Sequence, residues 1–477
     1  MSIQRQLFID GGWRESGLIH EVRSPATGAI VAAAHRARPA DLEAALGAAQ
    51  RAFEITRRMP AWERHAILTR IAAALRERRD EMVRILADEA GKPIKAGRVE
   101  ADRAIFTFEV AAEEARRLGG EVLPLDWAPW GADRLGIVRR FPLGPIAAII
   151  PFNFPLNLAA HKIAPCIASG NTMVLKPASQ TPSAALVLAS IAHDAGLPAG
   201  ALSVLPASSD DARLLVEDDR FRMLTFTGSS AVGWELKRRA GKKKVALELG
   251  GNAAVIVHSD ADLDRAAERI AVGGFGYSGQ SCISVQRVLV QRTVAPALTE
   301  RLMERVRQLR SGDPMDEATD VGPLITEADA RRAEAWVREA KAGGARLVAG
   351  GGRKGAWLEP TILADVAPDM KVSCEEIFAP VVALSEYDTF EAALAAANAS
   401  RYGLQAGLFT RDAARIWQAF AALEVGGLMV DDVPSFRVDH MPYGGVKESG
   451  VGREGLRYAI EEMTEPRLLG WHVQAHP

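Results

Sequence analysis

Three residues in separate motifs could together perform nucleophilic chemistry at a carbonyl carbon. Cys282 lies in the segment Gly279–Ser284, just before the apolar run Val285–Val290, and a loop mounted on a rigid strand is a good site for a reactive group. A thiolate is a strong nucleophile that could hold a substrate covalently. Because an isolated cysteine is more often a small core hydrophobe, the neighbouring motifs decide the interpretation.

Asn153 and Glu248 supply the two further groups that such chemistry needs. Asn153 stands between Pro151 and Pro155, which fix the backbone so that its amide can donate to a developing oxyanion. Glu248 lies in the apolar and glycine-containing segment Leu247–Asn252, where desolvation would make its carboxylate basic enough for a general base. The alternatives are a turn asparagine bonded to its own backbone and an ion-paired structural glutamate.

Two further segments have the composition of a nucleotide site. In Phe226–Gly233 a strand, a glycine and a helix start follow one another, and a helix N-terminus can bind a pyrophosphate. The spacing is not the glycine fingerprint of dinucleotide sites, so this signal is weak alone. Lys176 ends another buried strand, where it could bond ribose hydroxyls or simply be an exposed strand-end lysine. Polar segments also occur at Glu375–Phe378 and Pro442–Lys447.

Alternating strands and helices position these motifs. The pattern from Pro145 onward predicts a doubly wound α/β sheet, and ligands of such sheets bind beyond the carboxyl ends of the strands. Helices are predicted from Asp41, from Ala61 to Gly91 and from Ile94 to Leu118, and Thr181 is predicted to cap a helix with Pro182 at its first position. Strands are predicted at Ile146–Ile150, Thr172–Lys176, Leu202–Leu205, Met223–Phe226, Val245–Leu247, Ala253–Val257, Val285–Val290, Val381–Ser385, Ala406–Phe409 and Leu428–Val430.

Composition excludes several classes of protein. The chain of 477 residues predicts two to four domains, and 48% hydrophobic with 25% charged residues is an ordinary globular balance. A net charge of −2 indicates neither nucleic acid nor an acidic membrane as partner. Three cysteines exclude a disulfide framework and favour a reducing, cytoplasmic location. The N-terminus lacks the apolar core of a signal peptide, and no run approaches the roughly 18 apolar residues of a membrane span.

In combination the motifs resemble the NAD(P)-dependent aldehyde dehydrogenase superfamily over the full chain. The similarity rests on Pro-Phe-Asn at 151–153, Lys-Pro at 176–177, Phe-Thr-Gly-Ser at 226–229, Glu-Leu-Gly-Gly at 248–251, Gly-Gln-x-Cys at 279–282 and Glu-x-Phe at 376–378. The resemblance implies an aldehyde dehydrogenase-like α/β fold in three parts. These are an NAD(P)-binding domain of residues 1–118 and 141–247, a catalytic domain of residues 248–455, and an oligomerisation ribbon of residues 119–140 and 456–477.

The resemblance also implies a role for each motif. Cys282 adds to the aldehyde, Asn153 and the Cys282 backbone N–H hold the oxyanion, and a thioester forms as hydride leaves for the nicotinamide. Glu248 then activates the hydrolytic water, while Lys162 and Glu454 relay its proton away. Lys176 is implied to bind the adenosine ribose, Gly228 and Ser229 the pyrophosphate, and Glu376 the nicotinamide ribose. The remaining implied cofactor contacts are Ile149, Pro151, Phe152, Ala178, Thr227, Val232, Leu249 and Phe378.

The specificity positions of the family differ here from those of its NAD-selective and aromatic-aldehyde members. Ser179 stands where NAD-selective members usually carry a glutamate, so we expect NADP to be accepted, with NAD as the other candidate. We expect a small hydroxylated or anionic aldehyde, such as lactaldehyde, glycolaldehyde or a short acid semialdehyde, because the implied pocket is polar and partly cationic. That pocket consists of Arg103, Asn157, His161, Ser281, Ile283 and Arg437.

Alternatives to this interpretation remain open from the sequence. His161 could be a satisfied core histidine, and either arginine an ordinary ion pair. Ser281 replaces the arginine of many phosphorylated-substrate members, which argues against a dianionic substrate. Acyl transfer to coenzyme A and a non-catalytic use of the fold are the competing functions, and the presence of Glu248 favours water as the acceptor. We expect a homodimer or homotetramer that requires no metal.

Overall fold

The structure of the protein, a computed structural model, describes residues 3–473. Its helices are Pro39–Thr56 (α1), Ala61–Glu77 (α2), Arg79–Ala90 (α3), Ile94–Arg117 (α4), Pro155–Ser169 (α5), Ser183–Asp194 (α6), Arg213–Glu217 (α7), Ser230–Arg239 (α8), Leu263–Phe275 (α9), Ala295–Arg307 (α10), Glu327–Ala342 (α11), Lys371–Cys374 (α12), Phe390–Asn398 (α13), Ala413–Ala422 (α14) and Leu456–Glu462 (α15).

The strands agree closely with the predicted ones and add short pieces at the sheet edges. They are Ile3–Arg5 (β1), Leu7–Ile9 (β2), Gly12–Arg14 (β3), Ile19–Arg23 (β4), Ile30–His35 (β5), Gly120–Pro124 (β6), Arg134–Pro142 (β7), Pro145–Ile149 (β8), Thr172–Lys176 (β9), Leu202–Val204 (β10), Met223–Thr227 (β11), Lys244–Glu248 (β12), Ala253–Val257 (β13), Val285–Gln291 (β14), Arg346–Ala349 (β15), Arg353–Lys354 (β16), Trp357–Leu358 (β17), Thr361–Ala364 (β18), Val381–Tyr387 (β19), Tyr402–Gly403 (β20), Gln405–Phe409 (β21), Gly427–Val430 (β22), Val446–Lys447 (β23), Gly450–Val451 (β24) and Thr464–His472 (β25).

Two large sheets carry the described part of the chain. The first has eight strands in the order β24-β12-β11-β8-β9-β10-β2-β3, and its central strands β12 to β10 are parallel. The second has seven strands in the order β15-β18-β19-β14-β13-β21-β22, parallel except for β15. Helices cover both faces of such sheets, which is why their central strands are apolar on both sides.

The first sheet receives one strand from far along the chain. β24 pairs antiparallel with β12, and this register sets Glu248 opposite Gly450. Because β24 lies within the predicted catalytic segment, residues 248–455 contribute an edge strand to the first sheet. The other strands of this sheet come mainly from the predicted NAD(P)-binding domain. The exact domain boundaries given above stay a prediction.

A separate antiparallel sheet forms the predicted ribbon. β7 pairs with β6 and with β25, and Arg140 lies opposite Pro466 while Leu135 lies opposite Trp471. The two segments assigned to the ribbon, residues 119–140 and 456–477, thus pair with each other. Trp127 and Trp130 beside the ribbon are 89% and 83% exposed, and Trp471 on it is 59% exposed.

Two predictions about helices were wrong. The single helix expected from Ala61 to Gly91 is interrupted at Arg78, whose ψ of 15° leaves the helical range. Thr181 does not cap α6, which begins at Ser183. Glu89 of α3 instead accepts hydrogen bonds from the backbone N–H of Ser183, at 3.1 Å, and from its hydroxyl. A distant carboxylate therefore satisfies the helix terminus, a contact that local sequence cannot reveal.

Within residues 3–473, no helix has both the length and the apolar character needed to cross a membrane.

Candidate active site

A cavity of about 520 Å³ lies where the two large sheets face each other. The carboxyl ends of β8, β11 and β12 reach it from one side, and the segment just before β14 reaches it from the other. Its lining includes these predicted residues: Arg103, Pro151, Phe152, Asn153, Asn157, Thr227, Gly228, Ser229, Glu248, Leu249, Ser281, Cys282, Ile283, Glu376, Phe378, Arg437 and Glu454. Residues predicted for the site but outside this lining are Ile149, His161, Lys162, Lys176, Ala178, Ser179 and Val232.

The segment before Cys282 has an unusual backbone. Tyr277, Ser278 and Gly279 have φ values of 48°, 56° and 69°, a left-handed conformation that costs non-glycine residues energy. Hydrogen bonds hold it: the Tyr277 hydroxyl donates to the carbonyl of Ala90 at 3.1 Å, and the Ser278 hydroxyl donates to that of Gly322 at 2.6 Å. This fixed turn presents Cys282 to the cavity.

The Glu-Leu-Gly-Gly motif approaches the cysteine segment so closely that only glycine fits. A Cβ atom on Gly251 would lie 2.2 Å from the carbonyl oxygen of Cys282. The backbone N–H of Gly251 also donates to Glu376 Oε1 at 3.0 Å. The motif therefore joins the end of β12 to the cysteine segment and to Glu376.

The Cys282 thiol contacts a residue that the sequence did not single out by role. Cys282 Sγ lies 2.9 Å from the Tyr443 hydroxyl, and both side chains line the cavity. Burial raises the pKa of the Cys282 thiol to about 11, although the hydrogen bond with Tyr443 acts to lower it. The thiol is therefore mainly protonated near neutral pH, and its neighbours govern how much thiolate is available.

Asn153 is fixed by its backbone and by one of its amide hydrogens. Its Nδ2 donates to the carbonyl of Gln280 at 3.0 Å, two residues from Cys282, which leaves the second N–H for another acceptor. Its backbone carbonyl accepts from the buried Lys92 at 2.8 Å, and Lys92 is ion-paired with Glu100. Glu100 Oε1 in turn accepts from the backbone N–H of Leu156 at 3.0 Å, at the start of α5.

Glu248 is buried without a hydrogen-bond partner among the described residues. Both of its carboxylate oxygens lack one, and its side chain lines the cavity. Burial, followed by the charge of Glu454, raises the pKa of Glu248 well above its usual range. A carboxylate of raised pKa whose oxygens are free to contact water has the properties of a general base.

A buried charge network lies behind Glu248. Glu454 accepts hydrogen bonds from Lys162 Nζ at 3.4 Å and from Arg437 Nη2 at 3.0 Å. Burial acts to raise the pKa of Glu454, but Lys162 and Arg437 outweigh it and hold the pKa down to about 2. Lys162 also donates to the Thr225 hydroxyl at 2.9 Å. Glu454 is thus ionised while Glu248 is driven toward its neutral form.

Asp439 organises the part of the cavity beside α4 and α5. It accepts hydrogen bonds from Arg103 Nη2 at 2.7 Å and from Asn157 Nδ2 at 3.2 Å, and its Oδ1 lies 2.7 Å from His161 Nε2. Burial acts against the charge, yet the bonds from His161 and Arg103 hold the pKa of Asp439 well below its usual range. Burial and the nearby Arg437 lower the pKa of His161, so the imidazole is neutral near neutral pH.

Arg437 connects the two networks. Its guanidinium lies 3.7 Å from the centre of the Tyr443 ring, and Nη2 lies 3.4 Å from His161 Nε2. Its Nε is buried and finds no acceptor within the part of the chain that the structure describes. Because Arg437 also lines the cavity, its positive charge favours an anionic group there.

The other end of the cavity has features that suit a dinucleotide. β11 ends at Thr227, and α8 begins at Ser230 after Gly228 and Ser229, so free N–H groups point where a pyrophosphate would bind. The Thr227 hydroxyl is buried with no partner in residues 3–473. Burial raises the pKa of Glu376 to about 7. The Phe152 and Phe378 rings stand edge to face with centroids 6.0 Å apart.

Lys176 and Ser179 lie near this end without lining the cavity. Lys176 ends β9 directly beside Ile149, the last residue of β8. Burial lowers the pKa of the Lys176 ammonium. The two predicted adenosine-side residues Lys176 and Ile149 therefore share one edge of the first sheet.

Four residues of the site were not predicted by role. Tyr443 lies in the polar segment Pro442–Lys447, whose motif was visible, but its contact with Cys282 spans 161 residues. Asp439 stands two residues after Arg437, and only the fold shows that it pairs with Arg103. Lys92 lies between α3 and α4 and Glu100 lies within α4, and only the structure shows that the two are buried and ion-paired.

Comparisons with known proteins extend over almost the whole chain. A family model described as the aldehyde dehydrogenase family matches residues 13–469. The 3-sulfolactaldehyde dehydrogenase of Priestia aryabhattai is 45% identical over 469 residues, which cover 98% of this chain and 98% of the relative. The crystal structure of aldehyde dehydrogenase 21 from Physcomitrella patens, in complex with the reaction product succinate, is 44% identical with a TM-score of 0.98 and full coverage of both chains.

A second similar structure contains a cofactor. The glyceraldehyde-3-phosphate dehydrogenase of Methanocaldococcus jannaschii, crystallised with NADP, is 39% identical with a TM-score of 0.92. The alignment covers 96% of this chain and 99% of that one. The likeness to the Physcomitrella patens structure covers the whole chain and so includes both large sheets, the ribbon and every segment that lines the cavity.

Proposed function

The chain belongs to the aldehyde dehydrogenase family and is an NAD(P)-dependent enzyme of that fold, as its sequence predicted, and from this premise we propose that it oxidises a small aldehyde with an anionic tail to the carboxylic acid. One observation carries the proposal. Cys282, Asn153 and Glu248 come from three distant segments, and all three line one cavity.

The first step is attack of the Cys282 thiolate on the aldehyde carbon. A carbon–sulfur bond forms and the carbonyl electron pair moves onto oxygen. The second Asn153 amide hydrogen and the Cys282 backbone N–H stabilise this oxyanion. A nicotinamide held by residues such as Glu376 and Phe378 would supply the hydride acceptor, and loss of hydride would turn the adduct into a thioester.

The second step is hydrolysis of that thioester. Glu248 takes a proton from water, the resulting hydroxide attacks the thioester carbon, and the acid leaves as Cys282 is freed. Glu454 and Lys162 lie behind Glu248 and offer the proton a path away from the cavity. Because a general base is present, water rather than coenzyme A is the expected acceptor, and formation of an acyl-CoA would contradict the proposal.

The charges of the tail end favour a singly charged anion. While Glu248 is neutral, the network around Arg437 and Asp439 holds one more cation than carboxylate, and His161 is neutral as well. A single negative charge balances this network, whereas a second would be buried without a partner. The cations and carboxylates are Arg103, Lys162, Arg437, Asp439 and Glu454.

Ser179 supports the use of NADP. A glutamate at this position would repel a 2′-phosphate, and the small neutral serine leaves that charge unopposed. The related enzyme crystallised with NADP is consistent with this reading. NAD remains the second candidate, and we infer that neither step needs a metal.

The ribbon supports a homodimer or homotetramer. Its exposed apolar side chains would be covered if ribbons of different subunits, or a ribbon and a neighbouring subunit, packed together. We also propose a cytoplasmic location, because a reducing compartment keeps Cys282 as a free thiol. The exposed residues at issue are Val122, Trp127, Trp130, Leu468, Leu469 and Trp471.

Initial rates across a set of small aldehydes, each with NAD and with NADP, test the function. We expect the highest kcat/KM for aldehydes that carry one carboxylate or sulfonate, followed by hydroxylated ones such as lactaldehyde. A preference for benzaldehyde or hexanal would reject the proposal. For the cofactor, Ser179→Glu should depress kcat/KM with NADP and not with NAD, while a hundredfold preference of the unmodified enzyme for NAD would contradict the role given to Ser179.

A further inference from the structure

The Tyr443 hydroxyl lies against the reacting atom of the proposed mechanism, yet that mechanism does not use it. The Tyr443 oxygen is 2.9 Å from Cys282 Sγ, and the tyrosine side chain is 3% exposed. Its backbone is fixed by two hydrogen bonds with Glu454, at 3.1 and 2.6 Å. We propose that Tyr443 is a catalytic residue that donates a hydrogen bond to the Cys282 thiolate, stabilises it and holds the sulfur in place.

The surroundings of Tyr443 make its hydroxyl a donor rather than an acid. Burial, followed by the nearby Cys282, raises the pKa of Tyr443 well above its usual range, so the phenol keeps its proton throughout. The Arg437 guanidinium lies 3.7 Å from the ring centre, and a cation over the ring makes the hydroxyl hydrogen more positive. A phenol that cannot ionise beside a sulfur that can has one role left when the thiolate forms, which is to donate.

The other charged groups facing the sulfur do not offer this bond. Glu376 and Glu248 raise the pKa of the thiol through their charges, while Arg437 lowers it from a distance. Tyr443 is therefore the group whose hydrogen bond offsets the burial of Cys282. When the sulfur attacks the aldehyde, its electron pair enters the carbon–sulfur bond, the negative charge moves to the carbonyl oxygen, and Tyr443 retains its proton.

This arrangement has a definite kinetic consequence. For each pKa unit by which Tyr443 lowers the pKa of the Cys282 thiol, the fraction of thiolate rises about tenfold at pH values below that pKa. The same unit weakens the nucleophilicity of each thiolate by roughly threefold, since nucleophilicity falls with pKa. The reaction rate of Cys282 therefore rises about threefold per pKa unit near neutral pH. At pH values where the thiol is fully ionised, the same change lowers the rate, because only the weaker nucleophilicity remains.

Alkylation of Cys282 by iodoacetamide tests the inference without any aldehyde or cofactor. Rates would be followed on the Cys282 peptide by mass spectrometry from about pH 6 to about pH 10, since only the thiolate reacts. In Tyr443→Phe we expect alkylation to be about threefold slower across this whole range, because the range lies below the thiol pKa of about 11. Phenylalanine keeps the ring that packs against Ile283 and Leu404, and an unchanged NADPH affinity would verify the folded state.

Tyr402→Phe is the matched control. Tyr402 is also a buried tyrosine, but its hydroxyl accepts from Arg401 at 3.0 Å instead of contacting the thiol. The control should alkylate like the unmodified enzyme. Equal rates in Tyr443→Phe, faster alkylation at low pH, or the same slowing in the control would each overturn the inference.

The inference rests on the proposed nucleophilic role of Cys282, and the two fail in different ways. If the enzyme oxidised no aldehyde while Tyr443→Phe still slowed alkylation, the proposed function would be wrong and the thiolate contact would stand. If aldehydes were oxidised normally and alkylation were unchanged, only the role of Tyr443 would fall. A parallel fall of about threefold in kcat/KM for the preferred aldehyde would link the contact to turnover.

Discussion

The two ends of the cavity differ in whether their buried polar atoms have hydrogen-bond or ion-pair partners. At the catalytic end, formed by Asn153, Glu248 and Cys282, the Glu248 oxygens and Asn153 Oδ1 lack partners among the residues described. At the tail end, formed by Arg103, Arg437 and the residues around them, nearly every charge is already paired. A buried polar group without a partner costs about 1–3 kcal/mol, so the catalytic end is maintained at the expense of stability.

This difference indicates how each end selects its ligand. Free acceptors at the catalytic end are positioned for water and the reacting carbonyl, which arrive with complementary groups. Paired charges at the tail end mean that an anionic substrate exchanges partners with Asp439 and Glu454 instead of filling an empty site. Selectivity there follows from the net charge of the network, and four predictions test this comparison.

The largest effect is expected at the catalytic end with Cys282→Ser. A hydroxyl of much higher pKa replaces the thiol, so kcat should fall by roughly 10⁴-fold or more, as for loss of other enzyme nucleophiles. The measurement is NAD(P)H formation at saturating aldehyde. Cys374→Ser is the matched control, since Cys374 ends α12 and its thiol donates to the carbonyl of Asp369. Turnover retained in the serine variant would remove the basis of the mechanism.

Glu248→Gln should separate the two chemical steps. Without the base, hydrolysis should slow by about 10²–10⁴-fold while hydride transfer continues. Rapid-mixing experiments should then show a burst of close to one NAD(P)H per active site, followed by slow turnover. Mass spectrometry should find the acyl group on the Cys282 peptide. Loss of the burst together with turnover would mean that Glu248 acts before the thioester forms.

The catalytic end was largely predictable from sequence, and the tail end was not. Cys282, Glu248 and Asn153 lie in short motifs with strict local requirements, such as Gly251, whose Cβ would strike the Cys282 carbonyl. The tail end depends on pairings across long stretches, such as Arg103 with Asp439 over 336 residues. The residue types correctly predicted that the tail end is polar, but only the fold shows which of its charges form ion pairs.

The prediction of the fold was also limited by contacts between residues that are distant in the sequence. The buried parallel strands were predicted nearly to the residue because runs of apolar residues specify them locally. The start of α6 was misplaced because Glu89, about ninety residues upstream, satisfies the N–H of Ser183. The contact of Tyr443 with Cys282 is equally non-local.

A smaller effect is expected at the tail end with Arg103→Gln. Loss of a charged donor to an anionic group should lower kcat/KM for a carboxylate- or sulfonate-bearing aldehyde by roughly 10–100-fold. Neutral lactaldehyde should be affected much less, so the ratio of the two substrates is the measurement. Arg98→Gln is the matched control on the same helix, because Arg98 pairs with Glu317 at the surface. An equal fall for both substrates would indicate a general disturbance of α4 instead of lost anion recognition.

The smallest expected effect joins the two ends through Glu454→Gln. The charge of Glu454 raises the pKa of Glu248, and its removal leaves Lys162 and Arg437, which both act to lower it. Glu248 works as a base only when deprotonated, so hydrolysis is lost as pH falls through its raised pKa. The variant should therefore shift this acid limb to lower pH, even if the maximal rate falls because the proton path is interrupted.

Single-turnover hydrolysis of the thioester, followed across pH, measures that limb directly. Glu461→Gln is a suitable control, since Glu461 lies on α15 and pairs with Arg457 at the surface. A limb that stayed in place would mean that burial alone sets the pKa of Glu248. A limb that moved to higher pH would mean that Glu454 serves mainly to hold Lys162 and Arg437 near the base. The charges of the tail end would then influence the catalytic end more strongly than the hydrogen bonds of each end indicate.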